Sequence, residues 1–133
     1  MVRAPRERVD ARLQRFYEEL LAILRRPSIV DGKWRLLDCV PAWDSNWTWD
    51  CCIAWCWQGR DGERTLMAVN YAGNQSQCYV RLPWVDLAGG VARLKDLLGS
   101  AEYDRDGRGL ISSGLYLDLP PWGHHAFAIS ILA

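Results

Sequence analysis

The spacing of apolar residues changes once along this chain, near residue 30, and that change limits the possible folds more than any other feature. Upstream, Val9, Leu13, Phe16 and Leu20 recur at helical spacing between arginines and glutamates, which predicts one amphipathic helix over residues 6–24. Downstream, short extended runs alternate with turn signals. One helix followed by many short strands is typical of an antiparallel sandwich or barrel.

Nine short strands are predicted after the helix, and turn residues separate them. The clearest hairpin runs through residues 59–63, where two glycines allow a tight reversal. Further hairpin turns are predicted at residues 73–75 and 106–108. The predicted strands cover residues 34–40, 49–58, 65–71, 78–82, 92–96, 101–103, 109–111, 115–119 and 126–132.

The predicted strand over residues 49–58 is apolar on both of its faces. Its odd positions include Ile53, Trp55 and Trp57, and its even positions include Cys52 and Cys56. A strand with one face in water should alternate between apolar and polar residues. The strand is therefore either central and covered on both sides, or one of its faces meets something outside the domain.

The charge balance excludes several classes of partner. The 133 residues carry 16 basic and 16 acidic side chains, so no global positive charge indicates a nucleic-acid partner. No run approaches the roughly 20 apolar residues of a membrane helix, so no membrane partner is expected.

The first residues lack a signal-peptide core, and the five cysteines are an odd number. We expect reduced thiols and a cytoplasmic protein.

Several segments in the second half of the chain resemble one known domain. The runs VRLPW at 80–84, DLAG at 86–89, LKDLL at 94–98 and GLYLDLPPWGHHAF at 114–127 are similar to the C-terminal β-domain of bacterial α-amylase-family enzymes, the clan of retaining α-glucan hydrolases and transferases. Upstream, DGKWRLL at 31–37 and LMAVNY at 66–71 resemble the first strands of that domain. The helical stretch FYEELL at 16–21 resembles the last helix of the preceding catalytic barrel.

The resemblance implies a Greek-key-like antiparallel β-sandwich of eight to nine strands over residues 31–133, preceded by a barrel-like helix in residues 1–30. It also implies a missing partner, because such domains usually follow a (β/α)8 barrel. A barrel needs about 250 residues and its own pair of catalytic carboxylates, which this chain has no room for. We therefore expect no catalytic residue here and no activity of the isolated chain, although the parent protein would act on α-glucan.

The segment WDSNWTWD at residues 43–50 is the strongest candidate for a binding site. Flat indole faces pack on sugar rings, and neighbouring acid and amide groups bond the sugar hydroxyls. The alternative is that these residues pack against the missing barrel or under the domain's own helix, and the sequence favours this packing interpretation. The candidate carbohydrate-binding residues are Trp43, Asp44, Asn46, Trp47 and Trp49, with Asp50 beside them.

Three further tryptophans, Trp55, Trp57 and Trp122, are candidate interface residues. No cofactor and no metal are expected. Cys51 and Cys52 point to opposite faces of a strand, so small buried hydrophobic residues explain the cysteines better than a zinc site does.

Two other motifs are interpreted as structural. The calcium-like stretch at residues 104–109 lacks the required acidic ligand at its twelfth position, so a hairpin turn is the better interpretation. Of His124 and His125, one should face inward and one outward, and the sequence shows no acid to orient either ring.

The sequence thus predicts a non-catalytic C-terminal β-sandwich domain of an α-amylase-like glycoside hydrolase. Its expected role is to stabilise the catalytic barrel and to contact α-glucan. Two rival hypotheses are an independent carbohydrate-binding module and an interaction domain that forms homodimers through apolar surface left uncovered.

Overall fold

The computed structural model describes residues 7–132. Helix α1 spans Ala11–Leu24 and a short helix α2 spans Pro27–Val30. The side chain of Asp10 accepts hydrogen bonds from the N–H groups of Arg12 and Leu13, and this N-cap starts the helix. The predicted helix is therefore confirmed but begins later than expected, and residue 6 lies outside the described residues.

Nine strands follow within the described residues, and every neighbouring pair is antiparallel. The large sheet has the order β1-β3-β4-β9-β6-β7, and the small sheet has the order β2-β5-β8. The two sheets form the predicted antiparallel sandwich. The strands are β1 Lys33–Leu37, β2 Cys39–Pro41, β3 Cys52–Gln58, β4 Arg64–Asn70, β5 Ser76–Val80, β6 Val91–Asp96, β7 Glu102–Asp106, β8 Leu115–Leu119 and β9 His124–Leu132.

The main core lies between the sheets. It joins buried residues of the large sheet, such as Leu66 and Phe127, to buried residues of the small sheet, such as Val80 and Leu117. Successive side chains of a strand point to opposite faces of its sheet, so every second residue enters the core. In β8, Leu115, Leu117 and Leu119 point inward and the residues between them point outward. The large sheet thus has an inner face, toward the small sheet, and an outer face.

The outer face of the large sheet is partly covered by α1. Ile23 of the helix is buried against Met67 and Ala126, and Trp55 and Trp57 pack around this second cluster. On the other face of β3, Cys52 and Cys56 are buried in the main core. Strand β3 is therefore fully covered on its inner face, whereas on its outer face Trp55 and Trp57 are partly covered and Ile53 is exposed, so each of the two interpretations from the sequence holds for part of the strand.

Two predicted strands need correction at the corner between the sheets. The predicted strand over residues 34–40 is two strands, because the chain leaves the large sheet after Leu37 and enters the small sheet at Cys39. The predicted strand over residues 49–58 begins later, because Trp47–Cys51 forms a 3-10 helix. Its hairpin with β4 is confirmed, with Gln58 opposite Arg64.

The predicted strand at residues 109–111 is wrong, and so is the hairpin turn at residues 106–108. Residues Gly107–Ser113 form helix α3, and the Asp106 carboxylate caps it by accepting from the Gly109 N–H at 3.1 Å. Gly107 is fixed by close packing, since a Cβ there would lie 1.6 Å from the Leu87 carbonyl oxygen. Residues 73–75 join β4 to β5 in the other sheet, so they form no hairpin either.

Candidate functional site

The segment 43–50 connects β2 of the small sheet to β3 of the large sheet, and its last residues belong to the 3-10 helix Trp47–Cys51. Asn46 caps that helix: its Oδ1 accepts from the Thr48 N–H at 3.0 Å and from the Thr48 hydroxyl at 2.6 Å. Ser45, with φ 68°, supplies the left-handed residue that turns the chain. The polar residues of this loop therefore first serve its own conformation.

The loop is attached to strand β5 of the small sheet through Gln77. The Asn46 Nδ2 donates to the Gln77 Oε1 at 2.9 Å, and the Gln77 N–H donates to the Thr48 hydroxyl at 3.0 Å. These hydrogen bonds link the loop to a regular strand through both a side chain and the backbone. The tryptophans of the loop are therefore held in place before any ligand arrives.

Trp43 and Trp47 are exposed, at 53% and 66% of their surface, whereas Trp49 is half-buried against the main core. Neither exposed ring is covered by α1, so of the two packing alternatives the one in which these residues lie under the domain's own helix is wrong. With Asp44 and Asn46 they line an open pocket of about 290 Å³. The structure thus brings all five predicted residues to one pocket, while Asp50 lies exposed beyond it.

A polar and aromatic surface continues from the loop across the outer face of the small sheet. Asp118 accepts from the Nε2 groups of Gln77 and Gln75 at 2.9 and 2.7 Å, and these bonds hold its pKa below the usual value. Beside them, the rings of Tyr79 and Tyr116 lie 5.5 Å apart, and partial burial raises the pKa of Tyr116. These residues were not predicted from the sequence, although their alternation with buried residues along β5 and β8 was a usable signal.

The three candidate interface tryptophans lie in different environments. Trp55 and Trp57 are half-buried on the outer face of the large sheet, in contact with the cluster under α1. Trp122 is exposed in the turn before β9, where its ring meets Tyr71 edge-on at 5.6 Å. Only Trp122 therefore offers most of its ring to a partner.

The turn that carries Trp122 is held by the buried side chain of Asn70. The Asn70 Nδ2 donates to the carbonyl oxygens of Asn74 at 2.7 Å and Pro120 at 3.0 Å, and the Trp122 N–H donates to the Ala72 carbonyl at 3.1 Å. Trp122 has φ 59°, a left-handed conformation that costs about 1–2 kcal/mol for a residue other than glycine. The hydrogen bonds hold the exposed indole in this unfavourable backbone state.

The histidine pair divides between the faces as predicted, but His125 does have an acid partner. His124 contacts Phe16 of α1, and His125 stacks on Phe127. The His125 Nδ1 lies 2.7 Å from an oxygen of Asp96, whose other oxygen accepts from the Ala126 N–H at 3.2 Å. The expectation that no acid orients this ring is wrong, because the partner stands on the neighbouring strand β6, far away in sequence.

The described part of the chain contains neither a cluster of metal ligands nor a helix suited to a membrane. In residues 7–132, no group of three or more His, Cys, Asp or Glu side chains is arranged to hold a metal ion. None of the helices in this range has the length and hydropathy that a transmembrane segment requires.

Comparison with known proteins gives a match only at the level of structure. No protein-family model matches the chain. No curated protein matches it either. Among solved structures, it is similar to trehalulose synthase MutB from Pseudomonas mesoacidophila MX-45, with 20% identity and a TM-score of 0.52 over 87% of this chain. A point mutant of trehalulose synthase MutB gives the same identity, TM-score and coverage.

This chain spans only 17% and 18% of the lengths of those two structures. At such low identity the match concerns the fold alone, and it covers a small part of that enzyme. In fold, the match agrees with the resemblance found in the sequence, to the C-terminal β-domain of α-amylase-family enzymes.

Proposed function

We propose that this chain is a non-catalytic C-terminal β-domain of an α-amylase-like glycoside hydrolase, and that it stabilises a (β/α)8 barrel. The observation that carries the proposal is that the apolar surface of α1 is wider than the part that the sheet covers. On one side, Leu20 and Ile23 pack on the large sheet. On the adjoining side, Leu13, Tyr17 and Leu21 are each about half exposed, at 51%, 54% and 49%.

An exposed stripe of this kind normally marks an interaction site. A helix that belongs to a barrel and also contacts the sandwich needs one apolar side for each. The edge of the large sheet supports the same arrangement, because Trp34, Leu36 and Ile53 are exposed on its outer face beyond the helix. The barrel partner, with residues 1–30 as its last helix, would cover this surface and would supply the catalytic carboxylates.

The coding sequence immediately upstream of this chain tests the parentage. An in-frame (β/α)8 barrel supports the proposal, and an upstream region without one contradicts it. In the resulting protein, Leu21→Glu should lower the barrel's melting temperature, because it places a charge in the helix interface. The matched control is Glu18→Gln on the same helix, at an exposed and polar position. The purified chain alone should release no reducing sugar from starch.

Contact with α-glucan is a second candidate function, favoured by the exposed rings of Trp43 and Trp47. Their pocket adjoins hydrogen-bonding groups such as Gln77 and Asp118, the combination that sugar binding requires. Affinity electrophoresis in a gel containing amylopectin tests it. We expect the wild-type protein to be retarded and Trp47→Ala to lose this retardation. Trp34→Ala should retain it, because Trp34 is also exposed but lies on the large sheet, outside this pocket. Unretarded wild-type protein, or equal loss in both variants, counts against this function.

Homodimerisation through the α1 stripe is the remaining rival. It predicts a concentration-dependent dimer of the isolated chain in sedimentation velocity, and Leu21→Glu should dissociate it. A monomer at high concentration would contradict it.

For location we propose the cytoplasm, a choice supported by the five free cysteines, none of which is paired in a disulfide.

A further inference from the structure

Three cysteines from distant parts of the sequence meet at one end of the main core. Cys39 lies on β2 and Cys78 on β5, where Cys39 is opposite Val80 and Cys78 is opposite Pro41. The two are therefore diagonal neighbours on one face of the small sheet. Cys52 reaches the same cluster of core residues from β3 in the large sheet.

Cys78 is the partner that the other two thiols share. Its side-chain interactions with Cys39 and Cys52 lower the pKa of both, while the same interactions and burial raise the pKa of Cys78. Thiolate therefore forms more readily at Cys39 and Cys52, and Cys78 remains a thiol next to both.

The two thiols with the lowered pKa lie nearer to solvent than Cys78 does, because Cys39 is half-buried and Cys52 retains 8% of its surface exposed. Cys39 and Cys52 line an open pocket of about 340 Å³, together with Asp50 at its rim. Cys78 is completely buried behind them, with 0% of its surface exposed. A small oxidant can therefore enter from the side of Cys39 and Cys52, and Cys78 lies behind them as the second sulfur.

We propose that Cys39, Cys52 and Cys78 form an oxidation site, at which hydrogen peroxide converts one of the two accessible thiols and Cys78 into an intramolecular disulfide. In the first step, the thiolate of Cys39 or Cys52 attacks one peroxide oxygen and the O–O bond breaks. The released hydroxide takes up the proton that the thiol lost, which gives a sulfenic acid and one water.

In the second step, the Cys78 sulfur attacks the sulfenic sulfur, so that an S–S bond forms and the S–O bond breaks. The leaving hydroxide takes the proton of Cys78 and departs as a second water. The two sulfurs together lose two electrons, and the peroxide gains them. With Cys52, the new bond would join the two sheets; with Cys39, it would join neighbouring strands of the small sheet.

The remaining two cysteines serve as internal controls. Cys51 lies at the end of the 3-10 helix and outside the main core. Cys56 is buried in the core four residues along β3 from Cys52, about 13 Å away at the rise of a strand, so it lies outside the cluster of three cysteines. Oxidation by the proposed route should leave both of them as free thiols.

The test is treatment of the reduced chain with hydrogen peroxide, followed by alkylation in denaturant and peptide mapping by mass spectrometry. We expect the intact mass to fall by two hydrogen atoms, the titratable thiols to fall from five to three, and the bridged peptide to contain Cys78. A disulfide that lacks Cys78, a disulfide between two chains, or no disulfide at all would overturn the proposal.

Variants separate the chemistry from folding. Cys78→Ala keeps a small apolar side chain and should accumulate a sulfenic acid, trapped by dimedone on Cys39 or Cys52, with no disulfide. Cys51→Ala is the matched control and should oxidise as the wild type does. If Cys78→Ala does not fold, the double variant Cys39→Ala, Cys52→Ala gives the same test, because it leaves Cys78 without either partner. A disulfide that persists in that double variant would contradict the proposal.

Discussion

The two faces of the large sheet are closed in different ways. On the inner face, Leu66, Leu94 and Phe127 have at most 1% of their surface exposed, because the small sheet covers them. On the outer face, Met67 and Ala126 are buried beneath Ile23 of α1, and Thr65 is buried beneath Ser28 of α2. The inner face is thus complete within the domain, whereas the outer face depends on two helices and ends in exposed apolar side chains.

The difference separates what makes the domain fold from what it offers to a partner. Burial of apolar surface stabilises a fold roughly in proportion to its area, so the inner face should carry most of the folding free energy. The outer face contributes less to the folding free energy, because Trp34 and Leu36 remain exposed. Burial of these side chains by a partner would stabilise a complex. Four measurements test this difference between the faces.

The largest effect is expected from Phe127→Ala on the inner face. The ring is buried, and it contacts His125 and Tyr103. Its removal should lower the free energy of unfolding by about 3–5 kcal/mol, because a cavity forms in a packed core. Urea denaturation measures it, and Leu36→Ala on the outer face is the control, with a change within about 0.5 kcal/mol. Similar losses in both variants would show that the faces are equivalent.

Ile23→Ala tests the cover on the outer face. Ile23 is the only fully buried residue of α1, so its truncation should cost about 2 kcal/mol, the low end for an aliphatic core residue. Leu21→Ala on the exposed side of the same helix should change the stability by less than about 0.5 kcal/mol. A larger loss in the free energy of unfolding than that of Phe127→Ala would show that the outer face contributes more to stability than the inner face.

The pH dependence of stability tests the inner face through Cys56. Burial raises the pKa of Cys56 from 9.0 to about 11, so the folded state favours the neutral thiol. The unfolded chain loses this proton first, and stability that is fully present below pH 9 should decline as the pH rises to 11. We expect a loss of about 1–2 kcal/mol over that range in urea titrations. Cys56→Ala should flatten the decline, and Cys51→Ala should leave it unchanged.

The smallest effect is expected at the start of α1. Asp10→Ala removes the acceptor for the N–H groups of Arg12 and Leu13 and should cost the helix about 1 kcal/mol. Asp10→Asn retains a good cap and serves as the control. Because α1 only covers the outer face, hydrogen exchange should accelerate in the helix and not in β4 or β9. Equal acceleration in the strands would show that the helix and the sandwich unfold as one unit.

Local patterns in the sequence predicted the regular part of the fold. Strand β8 has the predicted bounds because leucines alternate cleanly with polar residues over 115–119. The hairpin of β3 and β4 follows from its glycine-containing turn. Helix α3 was missed because its seven residues include two glycines, and the contact that fixes Gly107 comes from Leu87, twenty residues earlier.

The candidate site was predictable only in its residue types. The loop residues Trp43 and Trp47 were identified, but their exposure depends on how the loop is attached to Gln77 of β5. Pairings between strands that are distant in sequence cannot be derived from local periodicity. For the same reason the sequence suggested only a comparison of Cys51 with Cys52. In the structure, Cys52 lies close to Cys78, which is also close to Cys39.

The central position of β9 has a consequence for the order in which this domain forms. Strand β9 lies between β4 and β6, so Val69 pairs with His124 and Arg64 pairs with Ile129. During synthesis, β4 leaves the ribosome long before β9 exists, and one edge of β4 stays unpaired meanwhile. Such non-local pairing slows folding and exposes strand edges to aggregation. A nascent chain released before residue 124 would lack the middle of its larger sheet and should be a substrate for chaperones or proteases.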